Sequence, residues 1–317
     1  MGEDVLMPGP SIPLVSVVMS VYNGEKYLRE AIDSILNQTF KDFEFIIIND
    51  GSTDDTLKII KSYKDPRIML TSRENKGLVA SLNEGIERAR GKYIARMDAD
   101  DISVSERLQL QVEYLESNPC VGLVGSQVAL VGGNGKIINP LISRPVDNKD
   151  IRLLLGYGTV ITHVAVLFKK ELIGKVGGYD EKYYLAEDHD LWCRMAEVTK
   201  VHSLPRVLVY IRTLVEGVSL SGAPIQDKKI KAVSKKWRIK HPLVMLRMLN
   251  PFSGFILIQR SKMISRKLHG YTLKPFIIEL MNLIRSDIHT SKWPGLLKYS
   301  ARSLLKINRL IIEKFRW

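Results

Sequence analysis

Between residues 14 and 110 the chain alternates short apolar runs with stretches whose apolar residues recur at helical spacing. No other pattern in the sequence restricts the fold as tightly. Residues 14–19 read as a buried strand, after which Tyr27, Leu28, Ala31, Ile32, Ile35 and Leu36 line one face of a helix. Residues 43–48 read as a second strand, ending in Asn49-Asp50-Gly51-Ser52, and 54–63 as a second helix. A short strand at 68–70, a helix over 77–89 closed by Gly91, a strand at 93–97 and a helix over 105–117 follow. Such alternation with short connections predicts an α/β architecture, a mostly parallel central sheet flanked by helices on both faces. Ligands on sheets of this kind sit beyond the carboxyl ends of the strands. Val21-Tyr22-Asn23, Asn49-Asp50-Gly51-Ser52 and Asp98-Ala99-Asp100-Asp101 each follow a strand end, so three polar clusters are expected on one rim.

The cluster at 98–101 carries three carboxylates within four residues, which repel one another unless a positive group sits among them. A hard divalent cation, Mg²⁺ or Mn²⁺, is one remedy, because it prefers oxygen ligands and carries substrate phosphates. A solvated acidic turn before the helix is the other. Asp50 has the same two faces. Asp-Gly is a common turn pair, while a carboxylate at a strand end can also accept the imide N–H of uracil or thymine, with Tyr22 stacking on the base. A second acidic group, Glu187-Asp188-His189-Asp190-Leu191-Trp192, opens a helix expected over 188–198. Acidic residues there complement the helix dipole, and a carboxylate so placed can also take a proton from a hydroxyl.

Past residue 120 the pattern loosens. Gly133-Asn134-Gly135 looks like a hairpin tip, 162–168 a strand, 170–177 a helix end and 207–212 a closing strand. Residues 1–12 read as a loose tail, since acidic residues and prolines stand where a secretory leader has a basic start and a long apolar segment. Two cysteines without metal spacing fit a reducing compartment. The net charge of +13 is uneven: residues 226–317 hold 21 basic and 4 acidic groups, whereas residues 1–225 carry a small acidic excess. The apolar stretch 243–258 is interrupted by Arg247, Asn250, Pro251 and Gly254, too often for a membrane-spanning helix. Residues 303–315 are instead amphipathic, with Leu304, Ile307, Ile311 and Phe315 on one side. A basic helical tail of this type suits an anionic membrane surface or a protein partner.

Taken in order, these motifs resemble glycosyltransferase family 2. The resemblance runs through Val17-Val18-Met19-Ser20-Val21-Tyr22-Asn23, Gln38-Thr39-Phe40, the Asn-Asp-Gly-Ser turn, Asn75-Lys76-Gly77, Asn83-Glu84-Gly85-Ile86 and Asp98-Ala99-Asp100-Asp101. It ends with Gly177-Gly178-Tyr179-Asp180 and the Glu-Asp-His-Asp cluster, and so covers about residues 14–215. It implies a GT-A-type nucleotide-binding domain over 13–225, with a nucleotide-binding half at 13–117 and an acceptor half at 118–225, followed by the tail at 226–317. It also implies residue roles. Asp50 and Tyr22 would hold the base, Asp98 the ribose and diphosphate region, Asp100 the metal, and Asp188 would deprotonate the acceptor hydroxyl. Glu187, Asp190, Asp101, Arg212 and His163 stand as secondary candidates, Arg212 toward the diphosphate.

The activity expected from the resemblance is inverting transfer from a nucleotide-sugar, UDP-linked in the most direct reading, to a glycan or lipid-linked glycan. Such an enzyme would work from the cytoplasm, at the inner face of the membrane. Processive relatives carry a Gln-x-x-Arg-Trp motif that Trp237-Arg238 does not reproduce, which implies addition of one or a few sugars. The competing reading is a non-catalytic scaffold whose basic tail binds nucleic acid or membrane. Nucleic acid is the less expected partner, because the tail's aromatics accompany dense Leu and Ile. A nucleotidyltransferase would need a Gly-rich loop after the first strand, and Val21-Tyr22-Asn23-Gly24-Glu25 is not one. The sugar, the acceptor and the oligomeric state, homo-oligomer included, stay open.

Overall fold

The computed structural model describes residues 12–213 and 223–241. Four parallel strands form one side of a nine-stranded sheet: β1 (Val15–Val21), β2 (Phe43–Asp50), β3 (Ile68–Arg73) and β4 (Tyr93–Met97), in the order β3-β2-β1-β4. β2 and β4 are buried along their whole length and β1 along nearly all of it, as continuous apolar runs require when helices cover both faces. β3 is the edge strand, and its residues are only partly covered. The helices α1 (Leu28–Leu36), α2 (Thr56–Ser62) and α3 (Leu78–Arg88) connect these strands. Leu28, Ala31, Ile32 and Ile35 bury the α1 stripe read from the sequence. Gly85 lets α3 lie directly on β1, since a Cβ there would stand 2.5 Å from Val18 Cγ1.

Beyond β4 the sheet becomes mixed. The order continues with β8 (Leu167–Lys169), β6 (Val121–Val131), β9 (Lys200–Arg212) and β5 (Ile102–Ser103), while β7 (Ile137–Ile142) pairs with β6. β8 runs antiparallel to β4 and to β6, and β6 runs parallel to β9. The β6–β7 hairpin turns at Gly133-Asn134-Gly135, as the sequence predicts. α4 (Arg107–Ser117), α5 (Asn148–Leu154), α6 (Glu171–Val176) and α7 (Glu187–Val198) complete this part.

Two expectations change. The strand expected over 162–168 is a 3-10 turn at His163–Ala165 followed by the three-residue β8. Gln111 Nε2 donates to Ala165 O at 2.8 Å, so a side chain takes a carbonyl that a ladder would have used, and Arg107 Nη2 adds a 3.1 Å bond to Val166 O, which also accepts from Arg96 N. The closing strand starts at Lys200 rather than 207. Its register jumps from Ser126↔Leu204 to Gln127↔Val207, and the bulge absorbs Pro205, whose missing N–H made the sequence read as interrupted.

Residues 153–157 and 231–241 group apart from the rest of the described chain. In that unit Arg238 Nη1 donates to Gly156 O, and its guanidinium lies 5.4 Å from the Tyr157 ring centroid. The boundary expected after residue 225 falls inside α8 (Ala223–Lys240), so the charge step there is not a break in the chain. The amphipathic stretch 303–315 lies outside the described residues. No helix among the described residues is long and apolar enough to cross a membrane.

Candidate active site

The rim predicted from the strand ends is present. Tyr22 leaves β1 with its side chain about half exposed. Its loop is laced to the turn after β2: Asn23 N donates to Ser52 Oγ at 2.9 Å, Thr53 N to Asn23 Oδ1 at 2.9 Å, and Gly24 N to Thr56 Oγ1 at 2.8 Å. Asn23 adopts φ +51°, a conformation Asn tolerates better than most residues. Gly51, at φ +77°, is required, because a Cβ there would lie 2.6 Å from the Asn75 backbone N.

That close approach brings residues 75–77 onto Asp50. Its carboxylate accepts from Lys76 N at 2.8 Å and Gly77 N at 3.0 Å, and pairs with Arg73 Nη1. Arg73 in turn pairs with Glu84 at 2.7 Å and donates to Ser81 Oγ at 2.9 Å. Asp50 is therefore buried and largely engaged within the chain, holding the 73–77 loop in place. Its carboxylate offers about four acceptor positions. Three are used here, which leaves one for a ligand.

The carboxylates at 98–101 diverge. Asp98 is paired with Arg96 at 2.5 Å and keeps its side chain 37% exposed. Asp100 is partly covered, and burial together with the Asp98 charge pushes its carboxyl up to about 6. Asp101 is buried and accepts from Arg212 N at 2.8 Å. Burial and its acidic neighbours raise it well above the ordinary range.

Arg212 departs from the expectation of a diphosphate-facing arginine. It is buried, and its guanidinium donates to Asp100 O at 2.9 Å, Gly132 O at 3.0 Å and Gly133 O at 3.4 Å. It also pairs with Glu30 and stacks on Tyr27 with its guanidinium carbon 4.3 Å from the ring centroid. Four of its donors go to protein oxygens, so Arg212 clamps β9 to the 98–101 turn and to α1.

On the facing side, the first turn of α7 presents its acids in three directions. Asp190 is buried and paired with Arg194 at 2.7 Å, while Arg194 also holds Val176 O at 2.7 Å and Gly178 O at 2.9 Å. Asp190 thus braces the 176–178 turn, and the expectation of a reactive role gives way to a structural one. Asp188 keeps part of its surface open, yet protein encloses it on most sides. Burial first, and the Glu187 charge second, push it up to about 7, against an opposing hydrogen bond from His189 N at 2.6 Å. Glu187 is buried, and its Oε2 has no hydrogen-bond partner. Leu185, just before this turn, sits at φ +73°, a strained backbone for a residue with a Cβ.

Arg96, which the sequence reading passed over, joins the two sides. It lies in the fully buried β4, and its one signal was being the lone charge in that run. Arg96 Nη2 holds Asp98, and Nε donates to His163 Nε2 at 3.3 Å. Burial works against its charge, but Asp98 and other acidic neighbours more than offset it. Tyr179 OH lies 2.8 Å from the same His163 nitrogen. Burial and the Arg96 charge drive the His163 pKa well down, while burial drives that of Tyr179 up. Neutral His163 therefore accepts at Nε2 from both neighbours and carries its proton on Nδ1. Trp192 packs edge-on against both rings, at 6.1 and 6.4 Å between centroids. Asn83 fixes Tyr179 by two 2.8 Å bonds to its backbone. Arg96 also attracts Glu187, Asp188 and Asp100, so carboxyls from the 98–101 turn and from α7 feel one cation.

The donor set at 98–101 is all carboxylate oxygen, and its members raise one another, which is the chemistry a hard divalent ion relieves. Among the described residues no three His, Cys, Asp or Glu side chains gather to hold a metal. The all-oxygen chemistry of the set fits a hard ion such as Mg²⁺ or Mn²⁺, which completes its shell with phosphate oxygens and water. Asp101 is turned toward β9, so Asp100 is the carboxylate that fits.

Four likenesses to known proteins bear on this arrangement. The model of glycosyl transferase family 2 matches residues 16–177, just over half of the chain. An uncharacterized glycosyltransferase of Methanocaldococcus jannaschii is 42% identical over 187 residues, covering 57% of this chain and 64% of its own length. The O-antigen biosynthesis glycosyltransferase WbnJ of Escherichia coli is 37% identical over 187 residues, covering 58% of this chain and 72% of its own. The S. aureus TarS 1-349 structure in complex with UDP-GlcNAc superposes with a TM-score of 0.60 at 19% identity, covering 95% of this chain and 91% of that one.

Proposed function

The chain belongs to glycosyl transferase family 2, and on that premise we propose that it is an inverting, metal-dependent glycosyltransferase. It moves a sugar from a nucleotide-sugar donor, UDP-linked, to a hydroxyl of a glycan or lipid-linked glycan in surface polysaccharide synthesis. What carries this reading is the buried Arg96 cation, which pairs with Asp98 at 2.5 Å and whose charge is felt by Asp100, Glu187 and Asp188. The O-antigen role named for WbnJ and the UDP-GlcNAc named for TarS support the acceptor and donor classes.

In this reading Tyr22 stacks on the base and the remaining acceptor position of Asp50 takes its imide N–H. Asp98, steadied by Arg96, faces the ribose and diphosphate. Asp100 holds the ion, which when bound neutralises charge on the diphosphate. Asp188 takes the proton of the acceptor hydroxyl as that oxygen attacks the anomeric carbon. Its carboxyl, raised to about 7, is basic enough to accept a proton and is still substantially ionised near neutrality. One direct displacement inverts the anomeric centre and needs no nucleophile from the protein. Attachment to an anionic membrane surface on the cytoplasmic side follows from the basic composition of residues 226–317 alone.

The test is a thermal-shift screen of uridine, thymidine and guanosine sugar nucleotides, run with Mn²⁺ and again with EDTA. One nucleotide-sugar is expected to stabilise the protein only when the metal is present. If none stabilises it under either condition, the reading fails.

A further inference from the structure

We propose that Arg96 and Glu187 form a pair that reads hydroxyl groups of the transferred sugar, with Arg96 Nη1 donating and Glu187 Oε2 accepting. This rests on the glycosyltransferase reading and deepens it by naming what sets the choice of sugar. Both residues are buried, at 2% and 6% exposure, and among the described residues these two atoms lack a hydrogen-bond partner. A buried N–H or carboxylate oxygen left unmatched is unfavourable, and native structures tolerate few.

Arg96 is not free to relieve this by turning. Nη2 is held by Asp98 and Nε by His163, while its backbone N donates to Val166 O at 3.2 Å and its carbonyl accepts from Arg107 Nη2 at 2.8 Å. The direction of Nη1 is therefore set by the fold. Glu187 experiences the Arg96 charge, yet the two make no direct ion pair, so each keeps its open position. A phosphate would satisfy Nη1 but be repelled by the Glu187 carboxylate. A neutral hydroxyl, or two adjacent ones, satisfies both, because each accepts and donates.

Location narrows the ligand further. Arg96 is anchored to Asp98 on the donor side, and Glu187 precedes Asp188 on the acceptor side. The group lying between a diphosphate and the acceptor's base is the sugar being transferred. A site that hydrogen-bonds substrate hydroxyls through buried polar groups discriminates strongly, since the wrong sugar leaves those groups unmatched.

Titration calorimetry on the full chain with Mn²⁺ tests the pair. The probes are UDP, dTDP and GDP, and UDP-glucose, UDP-galactose, UDP-N-acetylglucosamine, dTDP-glucose and GDP-mannose. The readout is the ratio of the dissociation constants of the bare diphosphate and its sugar conjugate. In Glu187→Met and Arg96→Lys this ratio is expected to fall about 10- to 100-fold. Binding of the bare diphosphate to Glu187→Met is expected to stay within about twofold, and Glu187→Gln to recover most of the loss. Arg96→Lys also loosens Asp98, so Glu187→Met decides where the two differ. In Glu187→Met an unchanged ratio, or an equal loss for the bare diphosphate, overturns the pair while leaving the enzyme reading standing. A wild-type chain that binds none of the sugar nucleotides overturns both.

Discussion

Replacing Asp188 with Asn is expected to abolish turnover while making the protein more stable, and the second effect depends on pH. The Asp188 carboxyl is displaced from an ordinary 3.8 to about 7, chiefly by burial and then by Glu187. At 1.36 kcal/mol per pH unit this corresponds to roughly 4 kcal/mol. The unfolded chain loses this proton near pH 4 and the folded chain near pH 7. Stability is therefore undiminished below pH 4, falls as pH rises between the two values, and carries the whole penalty above pH 7. Asn has no charge to bury, so above pH 7 the variant escapes that penalty. Allowing for the partial exposure of Asp188 and the attraction of Arg96 and Arg144, the gain is about 2–4 kcal/mol. That is roughly 5–10 °C in Tm at pH 8, and it shrinks to about 1 kcal/mol near pH 4.5. Turnover is expected to drop by about 10²- to 10⁴-fold, with donor affinity within about twofold. In the wild type, kcat rises about tenfold per pH unit up to about 7 and then levels. Calorimetric melting at the two pH values and a coupled diphosphate-release assay measure all of this. A variant that is less stable at pH 8 would show the ionised carboxylate to be well satisfied in the fold. Retained turnover would remove Asp188 from the role of base.

Arg212→Lys, which keeps the charge but loses the fork, is expected to lower stability by about 2–4 kcal/mol in urea unfolding, because Gly132 O, Gly133 O, Asp100 O and Glu30 lose donors. Donor affinity in the folded variant stays unchanged; a large loss would restore Arg212 to the diphosphate. Asp190→Asn is expected to destabilise by about 1–3 kcal/mol, since Arg194 loses its carboxylate partner, and to reduce kcat far less than Asp188→Asn; equal losses in kcat would refute the structural role. Mn²⁺ binding is expected to release about half a proton at pH 6 and almost none at pH 8, because Asp100 titrates at about 6 and must ionise to bind the ion. Titration in buffers of different ionisation enthalpy reads this, and Asp100→Asn abolishes it.

The first half of the chain was legible because three of its strands, β1, β2 and β4, are buried on both faces. Val15–Val21, Phe43–Asp50 and Tyr93–Met97 each read as a mostly apolar run followed by polar residues, and parallel strand order places those ends on one rim. The second half was harder, for physical reasons. Its backbone is held by side chains distant in sequence, as Gln111 and Arg107 hold Ala165 and Val166, and periodicity carries no trace of such bonds. Pro205 hid a strand that continues through a bulge. α5 (Asn148–Leu154) went unread because it is only two turns long.

Side-chain roles were less legible than positions. The sequence marks carboxylates but not their partners, and the partners decide which ones are free. Asp190 faces Arg194, Asp101 faces the Arg212 backbone, and Asp50 is three-quarters committed to Arg73, Lys76 and Gly77. Asp98, Asp100, Glu187 and Asp188 remain, and Arg96 acts on each of them, as it also does on Asp101. Arg96, with Arg212 acting on Asp100 and Arg144 on Asp188, does not balance them all. The fold accommodates the excess by letting Asp100 and Asp188 hold protons near neutrality, at about 6 and about 7. In the proposed reaction, a divalent ion arriving with a diphosphate would release the first of these, whereas the second would accept a proton from the acceptor. On that proposal, the charge imbalance that looks unfavourable in the free protein is what would separate the metal-holding carboxylate from the base.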